Sequence, residues 1–177
     1  MKKILLLVLS LGLLFTSCEK DSLVFSEAEA DGLLKSAELK MVPVKAEIQS
    51  TVTEYYEGVP VVGTLSGTMS HIGKLNTEES IWHTTSLSFD ETTGTITWEM
   101  IGNSCASNGD LLHYTLTGTF SISENQLNAH VDMSGGTGRF EFAEGYMDVT
   151  GYADDPLAIT TMFMTGDGLI SSVGSSK

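Results

Sequence analysis

Four histidines, two cysteines, one glycine-rich turn and several carboxylate pairs are the groups in this 177-residue sequence whose types could do chemistry. The histidines, at positions 71, 83, 113 and 130, lack the spacing of a metal site. His113 shares a face with Thr115 and Thr117, and His130 with Asn128 and Asp132, so both are expected to face solvent. His71 lies in an SHIGK turn, where an imidazole caps a loop or rims a cavity mouth. His83 alternates with Ile81, Thr85, Leu87 and Phe89, which places it on an apolar face. An inward imidazole needs a hydrogen-bond partner, as a satisfied core histidine has, or a ligand. Trp98 and Tyr114 alternate with apolar residues on neighbouring segments and join His83 as candidate ligand contacts. With Phe89, Met100, Phe120 and Met133 they are also the natural filling of a small β interior.

The glycine-rich turn is Gly135, Gly136, Thr137, Gly138 and Arg139. Consecutive backbone N–H groups can cradle an anion, but the G-x-x-x-x-G-K-[ST] pattern is absent and the neighbouring segments read as strands, so the turn is expected to be structural. Arg139, the sole arginine, is expected to pair with a nearby carboxylate. Cys105 has neither a cation nor a histidine near it in sequence to lower its thiol pKa, which leaves burial or intermolecular pairing. Glu78–Glu79, Asp90–Glu91 and Asp154–Asp155 lack calcium-loop spacing, and solvated surface charge is their reading, with an adventitious calcium site near Asp154 and Asp155 as the alternative. No catalytic residue, metal site or cofactor motif is assigned. From residue 47 onward there are 17 acids and 3 cations, and the chain carries a net charge of −14. Binding a nucleic acid requires neutralised phosphates, so that partner is excluded.

At the N-terminus, Met1, Lys2 and Lys3 precede an apolar run from Ile4 to Phe15, followed by Thr16, Ser17 and Cys18. A basic start and a run too short to span a bilayer describe a secretory signal. The LFTSC segment resembles the lipobox of bacterial lipoproteins, which implies cleavage after residue 17 and acylation of Cys18, palmitate included. Several acyl chains anchor a protein stably, because each buried methylene contributes about 0.8 kcal/mol. Glu19 stands where an inner-membrane retention signal of the enterobacterial type has Asp, which favours the outer membrane. Glu19, Lys20 and Asp21 also resemble the export signals of Bacteroidetes surface lipoproteins, so surface exposure is included in the expectation.

The elements that must position these groups are strands. Eighteen glycines against three prolines suit short strands and tight turns. Residues 18–42 read as an acidic tether, as a spacer or a short packed helix. From residue 43 the pattern takes a period of two, with Val44, Ala46, Ile48 and Val52 alternating with polar residues. Seven further strands follow, near residues 62–70, 81–89, 96–100, 112–120, 127–133, 147–149 and 158–165. The fold class expected for residues 43–177 is all-β, a single eight-stranded antiparallel barrel, since closure removes exposed edges. A sandwich satisfies the same periodicity.

The segment SGGTGRFEFAEG, with Gly135, Gly136, Thr137, Gly138, Phe140, Ala143 and Gly145, resembles a pattern of the dirigent proteins and of the allene oxide cyclase-like barrels. GTMSHIGK (67–74) and ASNGDLLHYTLTG (106–118) resemble secreted bacterial relatives of the same barrel. The resemblance implies an eight-stranded barrel with an apolar cavity that takes a hydrophobic small molecule, and a homotrimer. Dirigent proteins orient radical coupling of phenols and allene oxide cyclases close a fatty-acid epoxide, but no catalytic group of either family falls on a matched position. The leading expectation is thus a lipid-anchored envelope protein with a binding or interaction role. The alternatives are an isomerase or cyclase acting on a lipophile in the barrel, and an accessory subunit of a surface complex.

Overall fold

The computed structural model describes residues 40–171. Nine strands run β1 (Met41–Tyr56), β2 (Val59–Met69), β3 (Gly73–Lys74), β4 (Ile81–Asp90), β5 (Thr95–Cys105), β6 (Leu111–Ser121), β7 (Gln126–Gly136), β8 (Glu144–Ala153) and β9 (Thr161–Ser171), with one 3-10 turn at Gly138–Phe140. All neighbours pair antiparallel in the order β1-β9-β8-β7-β6-β5-β4-β2, and β1 also pairs with β2, which closes eight strands into a barrel. β3 is a two-residue flap on β2 and is not part of the wall. The seam between β2 and β4 is the shortest, running only from Val62–His83 to Thr64–Ile81. The expected anchor at Cys18 and all but residues 40–42 of the expected tether lie outside the described residues.

The period of two decides which side chains go in. Val44, Ala46, Leu65, Trp98, Phe120, Leu127, Val131, Met147 and Ile170 are buried, while Lys45, Glu47, Gln49 and Asp148 face out. An apolar interior with a polar exterior is the reverse of a transmembrane barrel. At about 25 cal/mol per Å² the interior side chains are the chief stabilising term.

In β4 the alternation changes parity. Thr84 pairs with Met100 and Ser86 with Glu99, so Thr85 is an extra residue, a β-bulge. Before the bulge Trp82 points inward and His83 outward; after it Leu87 is on the inner side, opposite Trp98. The expectation of an inward His83 is therefore corrected. It assumed an unbroken alternation from Ile81 to Phe89, and a bulge reverses every side chain on one side of itself. Gly63 is what admits Trp82, because the indole occupies the space a Cβ at that position would need.

Two further expectations need adjustment. The period of two predicts the eighth strand from residue 158, but 154–160 form a loop and β9 starts at Thr161. Asp154 explains the delay: its carboxylate accepts from the Thr161 and Asp155 N–H groups and from the Thr160 hydroxyl, satisfying backbone donors that a strand would have paired. Phe89, expected in the interior, is half exposed at the end of β4.

Candidate binding site at the barrel end

The interior is almost full. Between Ala46, Leu65, Tyr114, Val131 and Met147 there remains a cavity of about 40 Å³, room for on the order of one water. Tyr114 lines it, and burial pushes its phenol pKa up, so the hydroxyl stays neutral. A lipophile does not fit in that space.

A larger pocket, about 240 Å³, opens at the pole formed by the β1–β2, β4–β5 and β6–β7 turns and the β8–β9 loop. Leu87, Ile96, Trp98, Ile122 and Ile159 wall it, with Tyr55 and Phe89 at its sides. The loop that covers one flank is held by its own polar groups: Asp154 as above, Asp155 accepting from the Leu157 N–H, and the Tyr55 hydroxyl donating to the Ile159 carbonyl at 3.1 Å. This bracing keeps Ile159 in the left-handed region at φ 25°, where a β-branched residue is strained. Ile159 is buried as a result, while Leu157, two residues earlier, is 84% exposed.

Trp98 is the chemically unusual group of the pocket. The residue is 2% exposed and its ring stacks on Phe120 with centroids 6.1 Å apart. Its indole Nε1–H is buried with no hydrogen-bond partner. The other tryptophan, Trp82, donates its indole N–H to the Ser50 hydroxyl at 2.9 Å. An unpaired buried donor costs about 1–3 kcal/mol and calls for a reason. Of the residues lining the pocket only Trp98 and Tyr55 carry side-chain polar groups; the Tyr55 hydroxyl is already engaged, and the Trp98 N–H is shut off from solvent. The arrangement can bind a small apolar group.

The three candidate ligand contacts thus separate. Trp98 lines the end pocket, Tyr114 the small interior cavity, and His83 lies exposed on the outer wall. The sequence reading missed Tyr55, Leu87, Ile122 and Ile159 as pocket residues. Ile122 and Ile159 lie in turns, where apolar periodicity gives no signal, although an isoleucine in a turn is itself a hint.

The glycine turn sits at the opposite pole. Gly135 and Gly138 take φ values of 71° and 55°. The Gly135 and Thr137 N–H groups donate to the Ala143 and Leu111 carbonyls, and the Thr137 hydroxyl accepts from the Leu111 N–H. The Arg139 N–H faces Asp110 Oδ2 at 3.5 Å, and the guanidinium lies 3.7 Å from the same oxygen and 4.8 Å from the Phe140 ring centre. A turn whose donors are engaged and whose floor is a carboxylate repels an anion. His71 is held by the Pro43 carbonyl at 3.0 Å. His113 and His130 face solvent. Cys105 is fully buried; desolvation, with Glu79 3.4 Å from its sulfur, pushes its thiol up and keeps it protonated. No group of three or more metal-ligating side chains occurs among the described residues.

No family model matches the chain, and no curated protein matches it. Among solved structures the chain is similar to two pterocarpan synthase dirigent proteins. GePTS1 is 16% identical over 78% of this chain and 88% of that one, with a TM-score of 0.46. PsPTS1 is 15% identical over 77% of this chain and 97% of that one, with a TM-score of 0.41.

Proposed function

We propose that this protein is a binding protein of the cell envelope, tethered through acylated Cys18, whose barrel takes up a small apolar molecule bearing a hydrogen-bond acceptor. The observation that carries the reading is an apolar pocket lined by Trp98, a residue whose buried indole N–H has no partner. A ligand acceptor would relieve the cost of that donor while the walls gain buried apolar area. The chain enters the barrel at Met41, at the pole opposite the pocket.

Two measurements test this. The Trp98 indole N–H resonance should shift downfield on titration with 4-phenylbutanol, and an unmoved resonance at saturating alcohol sinks the binding reading. Cys18→Ala should release the protein from membranes, and continued retention sinks the anchor. A second reading, in which another chain covers the outer wall, is favoured by the exposed Tyr152 and Phe163 rings, 5.3 Å apart on β8 and β9. Sedimentation that stays monomeric at high concentration argues against self-association there.

A further inference from the structure

Tyr152 on β8 and Phe163 on β9 pair directly across the two strands and point away from the barrel interior. Their rings lie 5.3 Å apart with planes 30° from one another, and the residues are 54% and 38% exposed. The next strand on each side continues the row with an amide. Gln49 pairs with Phe163 from β1, and Gln126 begins β7 beside Tyr152, one residue before the Leu127–Gly151 pair. Both amides are exposed. Two residues along each strand, a second outward row holds Thr150, Thr165 and Glu47 in register. The two rows border a groove of about 600 Å³ whose floor includes Gly67 and Gly151, and Glu47 is the only charged side chain lining it.

The residue types in these rows specify a ligand chemistry. An aromatic face carries partial negative charge and attracts the weakly positive C–H groups of a surface laid flat on it. Amides, hydroxyls and a carboxylate exchange hydrogen bonds with neutral hydroxyl groups. A pyranose sugar presents both surfaces at once, a flat face of C–H groups and a rim of hydroxyls. A protein partner fits less well. Covering the rings would also take the two amides, the two threonines and Glu47 out of water, and each would then need a partner of its own. A sugar chain supplies a hydroxyl for each of them.

We infer that this groove is a glycan-binding site, separate from the end pocket. Its ligand is an extended, uncharged oligosaccharide whose sugars carry their hydroxyls equatorially. Successive sugar rings lie on Tyr152 and Phe163, and their hydroxyls meet Gln49, Gln126 and Glu47. The groove is large enough for a short oligosaccharide. No lysine or arginine lines it to hold a carboxylate or a sulfate, which is why the glycan is uncharged.

The test titrates cellohexaose, a neutral chain of flat-faced sugars, into the purified full-length chain. Binding is read from the Tyr152 and Phe163 ring resonances, assigned by their loss in Tyr152→Leu and Phe163→Leu. A Kd at or below about 1 mM is expected, with nuclear Overhauser contacts from sugar C–H protons to both rings. Each leucine variant keeps apolar bulk at an exposed position and removes the flat face, so it should fold and lose about tenfold in affinity. Gln49→Ala with Gln126→Ala should lose several-fold. The Trp98 indole resonance, assigned by its loss in Trp98→Phe, should stay in place, so this site and the end pocket succeed or fail separately. Ring resonances unmoved at about 20 mM cellohexaose overturn the inference. Binding that the leucine variants leave unchanged also overturns it, because the sugar then sits elsewhere. A dimer that forms through the two rings and survives their replacement by leucine does so too, by assigning the face to a second copy of this chain.

Discussion

At the scale of single residues, the two tryptophans make a controlled comparison. Both are buried and both face inward, but Trp82 has a partner in Ser50 and Trp98 has none. Trp82→Phe loses volume and a hydrogen bond and leaves the Ser50 hydroxyl unpaired, so a cost of about 2–3 kcal/mol is expected. Trp98→Phe loses the same volume but releases an unsatisfied donor, and should cost about 1–2 kcal/mol less. Urea denaturation of the two variants checks the difference; equal costs would mean that the Trp98 N–H is satisfied in solution. His83 supplies the opposite case. It lies on the outer wall, so His83→Leu should change stability by no more than about 0.5 kcal/mol and leave probe binding at the pocket unaltered. Tyr114 is buried against the interior cavity and over Gly102, where a Cβ would collide with its phenol ring.

At the scale of elements, turns and cross-strand pairs carry the specific predictions. Gly94 and Gly138 both take left-handed conformations, at φ 64° and 55°, but a Cβ at Gly94 meets open space and one at Gly138 meets the Asp110 carboxylate. Gly94→Ala should therefore cost only the backbone term, about 1 kcal/mol. Gly138→Ala should cost clearly more, and it should disturb the Arg139–Asp110 pair as well; thermal denaturation of both variants checks the order. On β7 and β8, Asp148 Oδ1 lies 2.7 Å from His130 Nδ1 and Asp132 lies 3.5 Å from Nε2. The Asp148 hydrogen bond, supported by both charges, raises the His130 pKa above its ordinary 6.5. A raised folded pKa means that the pair stabilises fully below the unfolded value and ceases to do so as pH rises through the folded one. His130→Gln is then expected to destabilise slightly near pH 5.5 and not at pH 9, by a few tenths of a kcal/mol because the imidazole is half exposed and screened. A proton titration of His130 giving a midpoint at or below the ordinary value would remove the effect.

At the scale of the whole molecule, closure is the property with consequences. β1 pairs with β9 from Met41 to Thr51 and with β2 from Ala46 to Tyr56, so none of the eight wall strands is an edge. Amides of β1 and β9 should exchange as slowly as those of β6, with the earliest opening at the short β2–β4 seam. Fast exchange along the β1–β9 pairing would mean that the barrel is open in solution. Much of this architecture is legible in the sequence, because a strand with one buried face repeats every second residue and tight turns need glycine, asparagine or aspartate. Val44 and Ala46, or Leu112, Tyr114 and Phe120, declare their faces without any knowledge of their neighbours. What escaped is what alternation cannot encode. The bulge at Thr85 comes from how β4 must register against β5, and it turns His83 outward and Trp82 inward over Gly63. Periodicity alone leaves barrel and sandwich equivalent; only the pairing of β1 with both β2 and β9 separates them. The pocket likewise belongs to no single segment: Tyr55, Leu87, Trp98, Ile122 and Ile159 come from distant parts of the chain and meet only because four connections converge on one pole. Local residue pattern determined the strands and their faces, whereas registry, closure and the site are long-range contacts, which only the tertiary structure could decide.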